Sequence, residues 1–232
     1  MKVAIMQPYI FPYIGYFQLI NVVDQFVIYD DVNFIKKGWI NRNNILSNND
    51  IQRFTVPLKN VSQNKLINET YINEESEWKD QFLKTIIHCY KKAPYFNDTF
   101  ALIEEIIKKD EYNVAKYIYH TLTAISKYLE LNTVFIISSE LDKDNLLKGS
   151  DKILDICKIL KATDYFNPIG GVDLYSKESF ETEKINLHFL KSNLVPYKQF
   201  NQEFVPWLSI IDILMFNSKQ EIHNLLNEYT LI

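Results

Sequence analysis

The chain has 232 residues, 47% of them hydrophobic, and a net charge of −4. This length predicts one large α/β domain or a core with an appended subdomain, and the apolar content is sufficient for a real core. The acidic balance argues against a nucleic-acid-binding protein, which usually carries a basic face.

Cysteine use and the N-terminal residues predict a cytoplasmic protein. Cys89 and Cys157 lie far apart in sequence, which fits neither a disulfide framework nor a metal site. The first apolar run is short and is followed by Gln-Pro, which is not the pattern of a signal peptide. No apolar stretch approaches the roughly 20 residues that a membrane-spanning helix needs, so we expect no membrane span.

The N-terminal part of the chain predicts a βαβ unit. Residues 3–6 and 26–29 are apolar runs typical of buried strands, and a loop rich in aromatic rings and prolines leads into a helix between them. The two strands of such a unit are parallel, and ligands of open parallel sheets bind at the carboxyl ends of strands. The loop at that edge supplies the candidate substrate-binding residues Gln7, Tyr9, Tyr13 and Gly15, together with Tyr16 as a candidate catalytic residue.

The segment that follows the second strand is unusually polar. Asp30 and Asp31 are adjacent, so in an extended chain they point opposite ways and at most one faces a site directly. A nearby set of cations and amides could hold a phosphate or a carboxylate, and the alternative is a solvated loop leading into a helix at Asn43. The predicted substrate-binding residues of this segment are Lys36, Lys37, Trp39, Asn41 and Arg42.

The middle of the chain changes from strand to helix patterns. Residues 51–58 predict a strand and residues 67–72 a short edge strand. Apolar residues then recur at helical spacing over residues 76–90, with Ser76 as the expected N-cap, and again over 99–109 and 114–128. Three consecutive helices predict a helical insertion, so we expect a first part of the core at residues 1–75, an insertion at 76–130 and a second part of the core at 131–232.

The last hundred or so residues return to alternating strands and helices. Strands are predicted at 132–137 and 187–190, with helices at 150–160 and from Pro206 onward, and residues 162–166 lead into a turn at 167–171. Together with the βαβ unit, this pattern predicts an α/β fold with a Rossmann-like three-layer core, a mainly parallel sheet and a helical insertion. The paired glycines of that turn predict a backbone that either adopts a positive φ or lets another group approach closely. The residues that complete the predicted cleft are Ser138, Ser139 and Glu140 after the strand at 132–137, with Gly170 and Gly171 in the turn.

No strong catalytic signature is present. Walker A, GxGxxG, HExxH, GxSxG and CxxC patterns are missing from the sequence, and the four histidines are scattered. The start of the first helix resembles the HxGH motif of nucleotidyltransferase-like folds, but tyrosines replace both histidines in Tyr13-Ile14-Gly15-Tyr16. A neutral tyrosine can donate to a phosphate oxygen without supplying positive charge. This weakens the case for nucleotidyl transfer and leaves a related fold with another anionic ligand open.

Several longer motifs are spread along nearly the full length of the chain. They are MQPY at residues 6–9, FPYIGYF at 11–17, DDV at 30–32, WINRN at 39–43, SSEL at 138–141 and FVPWLSIID at 204–212. Together these motifs resemble the WbqC-like protein family, whose bacterial members are often associated with O-antigen and other surface-polysaccharide gene clusters. The resemblance implies a sugar-nucleotide or sugar-modifying context.

Two classes of function follow from these observations. The first is an enzyme that transfers an acyl or aminoacyl group to an amino sugar of a sugar nucleotide, with Asp30 or Asp31 orienting or deprotonating the acceptor. The second is a non-catalytic sugar-nucleotide-binding or partner module of a glycan-assembly complex, and a divergent nucleotidyltransferase-like enzyme is a further alternative. The cofactor is left open between ATP with Mg²⁺ and an acyl donor. The paired aspartates could hold Mg²⁺, although no metal site is assigned, and a homo-oligomer is possible.

Overall fold

The computed structural model describes residues 1–200 and 203–232. The strands are β1 (Lys2–Met6), β2 (Gln25–Ile28), β3 (Arg42–Ser47), β4 (Asp50–Thr55), β5 (Leu58–Lys59), β6 (Tyr71–Ile72), β7 (Val134–Ile137), β8 (Asp164–Pro168), β9 (Asn186–Ser192) and β10 (Tyr229–Leu231). The helices are α1 (Ile14–Val22), α2 (Trp78–Tyr90), α3 (Phe96–Ile107), α4 (Val114–Tyr128), α5 (Gly149–Ile159), α6 (Lys177–Thr182), α7 (Ile210–Phe216) and α8 (Lys219–Leu226).

A six-stranded sheet with the order β10-β9-β8-β1-β2-β7 forms the centre of the fold. β1 is parallel to both β2 and β8, β2 is parallel to β7, and β8 is parallel to β9. The edge strand β10 is antiparallel to β9. The predicted α/β fold with a mainly parallel sheet is therefore confirmed, and so is the parallel βαβ unit at the N-terminus.

Helices cover both faces of the sheet because successive side chains of a strand point to opposite faces. Ala4 and Phe26 belong to a large apolar core that also contains residues of α1, α4, α7 and α8. Val3 and Val27 face the other way and pack in a second core with α5 and α6. These two cores give the three layers of a Rossmann-like architecture.

The three consecutive helices α2, α3 and α4 lie between β6 and β7 in the chain, where helices were predicted. On α4, the ring of Tyr119 lies 6.3 Å from that of Phe135 on β7. The buried residues of α2, α3 and α4 belong to the same large core as those of β1 and α7. The division into segments 1–75, 76–130 and 131–232 stays a prediction. Among the residues that the structure describes, no helix has both the length and the apolar character needed to cross a membrane.

Several local predictions were wrong at the ends of elements. Helix α2 begins at Trp78 with Glu77 at the N-cap position, one residue later than the N-cap predicted at Ser76. Ile67–Glu69 is a short 3-10 helix followed by the two-residue strand β6, instead of one edge strand. The turn predicted at residues 167–171 begins as the end of β8 and continues as a 3-10 helix, Ile169–Leu174.

The C-terminal part departs most from the predicted elements. The helix expected from Pro206 begins only at Ile210, because the side chain of Ser209 accepts a hydrogen bond from the N–H of Ile211 and caps it there. Trp207, just before this cap, has a left-handed φ of 61° that no helix allows. Strand β10 was not predicted, since three residues carry too little pattern to identify.

Candidate functional site

Four segments predicted to form the cleft follow the carboxyl ends of neighbouring parallel strands. Gln7 follows β1, the pair Asp30-Asp31 comes just after β2, Ser138 follows β7, and Gly170 comes just after β8. Parallel strands end at the same edge of a sheet, so these segments share one edge. The strand order also reverses at β1, since β2 and β7 lie on one side of it and β8, β9 and β10 on the other. Ligands of open α/β sheets usually bind at such a point.

Asp30 fastens the end of β2 to the end of β7. Its Oδ1 accepts a hydrogen bond of 2.9 Å from the N–H of Ser139, and its Oδ2 accepts one of 2.7 Å from Ser139 Oγ. The side chain is buried, and burial raises the pKa of Asp30 although both hydrogen bonds act to lower it. Asp30 is thus a carboxylate whose two oxygens already have protein partners.

Asp31 points to the other side, toward two buried lysines. Lys143 Nζ and Lys152 Nζ lie 2.9 and 2.8 Å from the same oxygen, Asp31 Oδ2. The side chains of Lys143 and Lys152 are 1% and 7% exposed. Burial acts to raise the pKa of Asp31, but Lys152, Ser138 and Lys143 together outweigh burial and hold that pKa below its ordinary value. We call Lys143, Asp31 and Lys152 the lysine cluster.

A cavity of about 450 Å³ opens beside the lysine cluster. The N-terminus of α5 forms part of its wall, and Lys152 reaches it from the first turn of that helix. Lys152 Nζ also lies 5.3 Å from the centre of the Tyr29 ring. The cavity is lined by Tyr29, Asp31, Val32, Asn33, Leu66, Asn145, Leu147, Lys148, Gly149 and Lys152.

A second depression, the aromatic cleft, has a volume of about 240 Å³ and is walled by rings. Trp39 and Trp207 are 44% and 53% exposed, which is unusual for the largest apolar side chain. The Trp207 ring packs edge-on against Tyr13, with 6.0 Å between ring centres. The aromatic cleft is lined by Tyr9, Pro12, Tyr13, Trp39, Asn43, Asn44 and Trp207.

The backbone of the N-terminal loop is fixed from two directions. Asn43 Nδ2 donates to the carbonyl oxygens of Ile10 and Phe11, at 3.2 and 2.8 Å. Ser209 Oγ donates to the same Phe11 oxygen at 2.7 Å, and Phe11 has a left-handed φ of 42°. Segments far apart in sequence therefore hold the loop that carries Tyr9 and the start of α1.

The predicted residues at the start of α1 are largely engaged with one another. The ring of Tyr13 occupies the space beside Gly15, where a β-carbon would lie 2.4 Å from it. Tyr16 is buried and donates its hydroxyl to the carbonyl oxygen of Gln7 at 2.9 Å. Burial raises the pKa of Tyr13 and of Tyr16, so both phenols are neutral donors near neutral pH.

The predicted cationic segment lies mostly in an exposed turn. Lys36 and Lys37 are exposed, and Lys37 has a left-handed φ of 64°. Arg42 uses its Nε to donate to the Gly38 carbonyl at 2.8 Å, and Asn41 Nδ2 donates to the Val56 carbonyl at the same distance. Of this segment, Trp39 alone lines the aromatic cleft.

The remaining predicted residues divide into buried and open positions. Ser138 is buried and its carbonyl accepts a hydrogen bond from Lys143 Nζ, while Glu140 is exposed. A β-carbon on Gly171 would lie 2.0 Å from Asn167 Oδ1, whereas nothing lies within 4 Å of the corresponding point on Gly170. No group of three or more His, Cys, Asp or Glu in the described part of the chain could hold a metal ion.

Three site residues were missed by the sequence reasoning. Lys152 carried a usable signal, because it lies one turn before Ile156 on the buried face of a predicted amphipathic helix. Lys143 lies in a loop without periodicity, so its burial had no signature. Trp207 was noticed in a motif but was expected inside a helix.

Comparison with known proteins gives a family but no chemistry. The model of the WbqC-like protein family matches residues 7–224. The chain is 28% identical over 216 residues, 92% of each chain, to "Uncharacterized protein Rv1507c" of Mycobacterium tuberculosis (strain ATCC 25618 / H37Rv). No solved structure matches the chain. Because the family match spans most of the sequence and contains the strand ends that build the candidate site, the chain belongs to the WbqC-like protein family.

Proposed function

We propose that the protein is a transferase of bacterial surface-polysaccharide biosynthesis that moves an acyl or aminoacyl group to an amino sugar of a sugar nucleotide. The observation that carries this proposal is the aromatic cleft, where Trp39 and Trp207 expose large ring surfaces beside the ligand edge of the sheet. Family membership supports the glycan context.

The chemistry of the aromatic cleft suits a sugar or a nucleobase. Aromatic faces stack on the flat or apolar face of such rings, and each stacked base is worth about 1–3 kcal/mol. Within the described residues, the hydroxyls of Tyr9 and Tyr13 have no hydrogen-bond partner, and burial raises both pKa values. They are therefore neutral groups that can donate to the hydroxyl or carbonyl oxygens of a ring.

The groups around the cleft divide the remaining work. Lys36, Lys37 and Arg42 lie in the segment that carries Trp39 and would bind a carboxylate or phosphate of the donor. In the transfer, the amino-sugar nitrogen attacks the acyl carbon, the bond to the leaving group breaks, and the nitrogen loses one proton. Asp30 and Asp31 remain the predicted acceptors of that proton, and their present contacts with Ser139 and with two lysines also make them positioning residues.

These contacts favour a second candidate. A general base needs a free oxygen within reach of the proton it takes. Asp30 has partners on both oxygens. Asp31 is paired at Oδ2 with Lys143 and Lys152, and its Oδ1, which has no hydrogen-bond partner among the described residues, is buried. A non-catalytic sugar-nucleotide-binding module would keep the aromatic cleft and need no base.

The test is a binding experiment followed by a turnover experiment. Purified protein is titrated calorimetrically with sugar nucleotides, with and without Mg²⁺, ATP and acyl donors. We expect Trp39→Ala and Trp207→Ala each to weaken sugar-nucleotide binding by about tenfold or more. Tyr95→Ala is the matched control, since Tyr95 is an exposed aromatic residue outside the cleft. Unchanged affinity in both tryptophan variants would exclude the cleft as the site.

Turnover separates the two candidates. Mass spectrometry of the sugar nucleotide after incubation with candidate donors detects the added acyl group. Binding without any such product supports the module. Turnover that survives in both Asp30→Asn and Asp31→Asn would end the role of either aspartate as the base.

A further inference from the structure

We infer that the lysine cluster and the adjacent cavity form an anion site that holds a phosphate or pyrophosphate group. This inference deepens the proposed function: the anion would be the diphosphate of the sugar nucleotide, and that identity rests on the proposed function. The site itself rests on three observations, namely its charge, its unused donors and its shape.

The lysine cluster carries a surplus of buried positive charge. Lys143 and Lys152 share one carboxylate oxygen of Asp31, so two cations face a single anion with all three side chains at least nine-tenths buried. In the part of the chain that the structure describes, neither lysine has another carboxylate within 4.0 Å. A buried charge without a partner is costly, so this arrangement favours an anionic ligand that supplies the missing negative charge.

Each ammonium group keeps one hydrogen bond to give. An ammonium has three donors. Lys152 Nζ contacts Asp31 Oδ2 at 2.8 Å and the Asp31 carbonyl oxygen at 3.0 Å. Lys143 Nζ contacts Asp31 Oδ2 and the Ser138 carbonyl oxygen. One N–H on each lysine is left without a contact among the described residues, and Lys152 is part of the cavity wall.

The cavity provides room and further positive potential. Its volume of about 450 Å³ exceeds what a phosphate needs and lies within the range of small-molecule sites. Lys148 also lines it, so its walls and the lysine cluster hold three lysines against one aspartate. The 11-residue helix α5 starts at Gly149 on the wall without a side-chain cap, and its first N–H groups add to the attraction of an anion.

The test titrates inorganic pyrophosphate into the full chain and follows both calorimetry and the melting temperature. We expect the wild type to bind pyrophosphate and to melt at a higher temperature as its concentration rises. Lys152→Met leaves one lysine against one carboxylate, so we expect a folded protein whose melting temperature in the absence of anion is at least that of the wild type. Its affinity for pyrophosphate should fall by about tenfold or more, which corresponds to one lost charge-assisted hydrogen bond.

A control variant on the same helix tests whether pyrophosphate binding depends on Lys152 in particular or on the positive charge of α5 in general. Lys158→Met removes an exposed lysine of α5 that is paired with Glu183, and we expect it to bind pyrophosphate as the wild type does. Absence of pyrophosphate binding by the wild type, or equal binding by the wild type and Lys152→Met, would overturn the inference.

Three further ligands distinguish failure of this site from failure of the proposed function. Pyrophosphate binding together with sugar-nucleotide binding that is lost in Trp39→Ala supports both. Sugar-nucleotide binding that is insensitive to Lys152→Met overturns the identity of the anion as the sugar-nucleotide diphosphate and leaves the proposed function standing. Pyrophosphate and ATP binding that depends on Lys152, with no binding of any sugar nucleotide or free sugar phosphate, supports the anion site and sinks the function.

Discussion

Asp30 accepts both the backbone N–H and the hydroxyl of Ser139, so one side chain closes the gap between the carboxyl ends of β2 and β7. The two residues are 109 positions apart in the chain. The carboxylate was predicted as catalytic, and its place between two strands makes it a structural link at the candidate site as well. Its energetic role can be measured without knowing the substrate.

We expect Asp30→Ala to lower the free energy of unfolding by about 1–3 kcal/mol, because two buried hydrogen bonds disappear and the N–H of Ser139 loses its partner. Asp30→Asn should cost less, since its amide oxygen can still accept from that N–H and its NH₂ can donate to the hydroxyl. Urea unfolding at neutral pH measures both changes. Equal stability of the alanine variant and the wild type would show that these two hydrogen bonds do not stabilise the folded protein.

The contributions of Asp30 and Asp31 to stability should change with pH in opposite directions. Burial raises the pKa of Asp30 in the folded protein. Its contribution is therefore present in full below the unfolded pKa of about 3.9 and is lost as pH rises through the folded pKa. The difference in unfolding free energy between wild type and Asp30→Asn should then decrease as pH rises from about 3 toward 7. A difference that grows with pH would contradict the raised pKa.

For Asp31 the expected trend is reversed. Its folded pKa is lowered: burial acts to raise it, but Lys152, Ser138 and Lys143 together outweigh burial. The stability it contributes is present above the unfolded pKa of about 3.9 and is lost as pH falls through the folded pKa. We expect the difference in unfolding free energy between wild type and Asp31→Asn to grow as pH rises from about 2 to 5. Urea unfolding at each pH measures it.

Removing the Asp31 carboxylate should also be severe at neutral pH. Asp31→Asn leaves Lys143 and Lys152 buried without a counter-charge, for which we expect a loss of about 3–5 kcal/mol. Adding Lys152→Met to Asp31→Asn removes one unpaired cation and should recover part of that loss. Glu183→Gln is the control, because its ion pair with Lys158 is exposed and worth at most about 1 kcal/mol. If Asp31→Asn lowered the free energy of unfolding as little as Glu183→Gln does, water would have to reach the lysine cluster.

The sequence was enough to predict which segments lie at the ligand edge of the sheet, but not which side chains contact one another there. Apolar runs such as residues 3–6 indicate buried strands, and the α/β pattern predicts that these strands are parallel. The carboxyl ends of parallel strands lie at one edge of the sheet, so Gln7 and Ser138 could be assigned to that edge from the sequence. The partners of those residues could not. Lys143 reaches Asp31 from a loop 112 positions later, and Trp207 depends on a left-handed backbone that no periodic pattern predicts. Tertiary contacts of this kind leave no local signal.

Gly171 shows the same limit, because the paired glycines after β8 were expected either to adopt a positive φ or to let another group approach closely. In the structure the space beside Gly171 is filled by Asn167, whose Oδ1 would lie 2.0 Å from an added β-carbon. Asn167 is buried and donates to Tyr165 Oη at 2.8 Å, so it cannot move freely. We expect Gly171→Ala to lower the free energy of unfolding by about 1–3 kcal/mol, the usual cost of overpacking.

Gly170→Ala is the matched control. Nothing lies within 4 Å of its added β-carbon and its φ is not left-handed, so the change should be neutral or stabilise by up to about 1 kcal/mol through the unfolded chain. Gly171→Ala combined with Asn167→Ala should recover part of the loss, since the truncated side chain vacates the space. If Gly171→Ala is instead as stable as wild type but binds sugar nucleotides more weakly, the glycine serves ligand approach after all. The conformation of Asn167 would then have to change when the ligand binds.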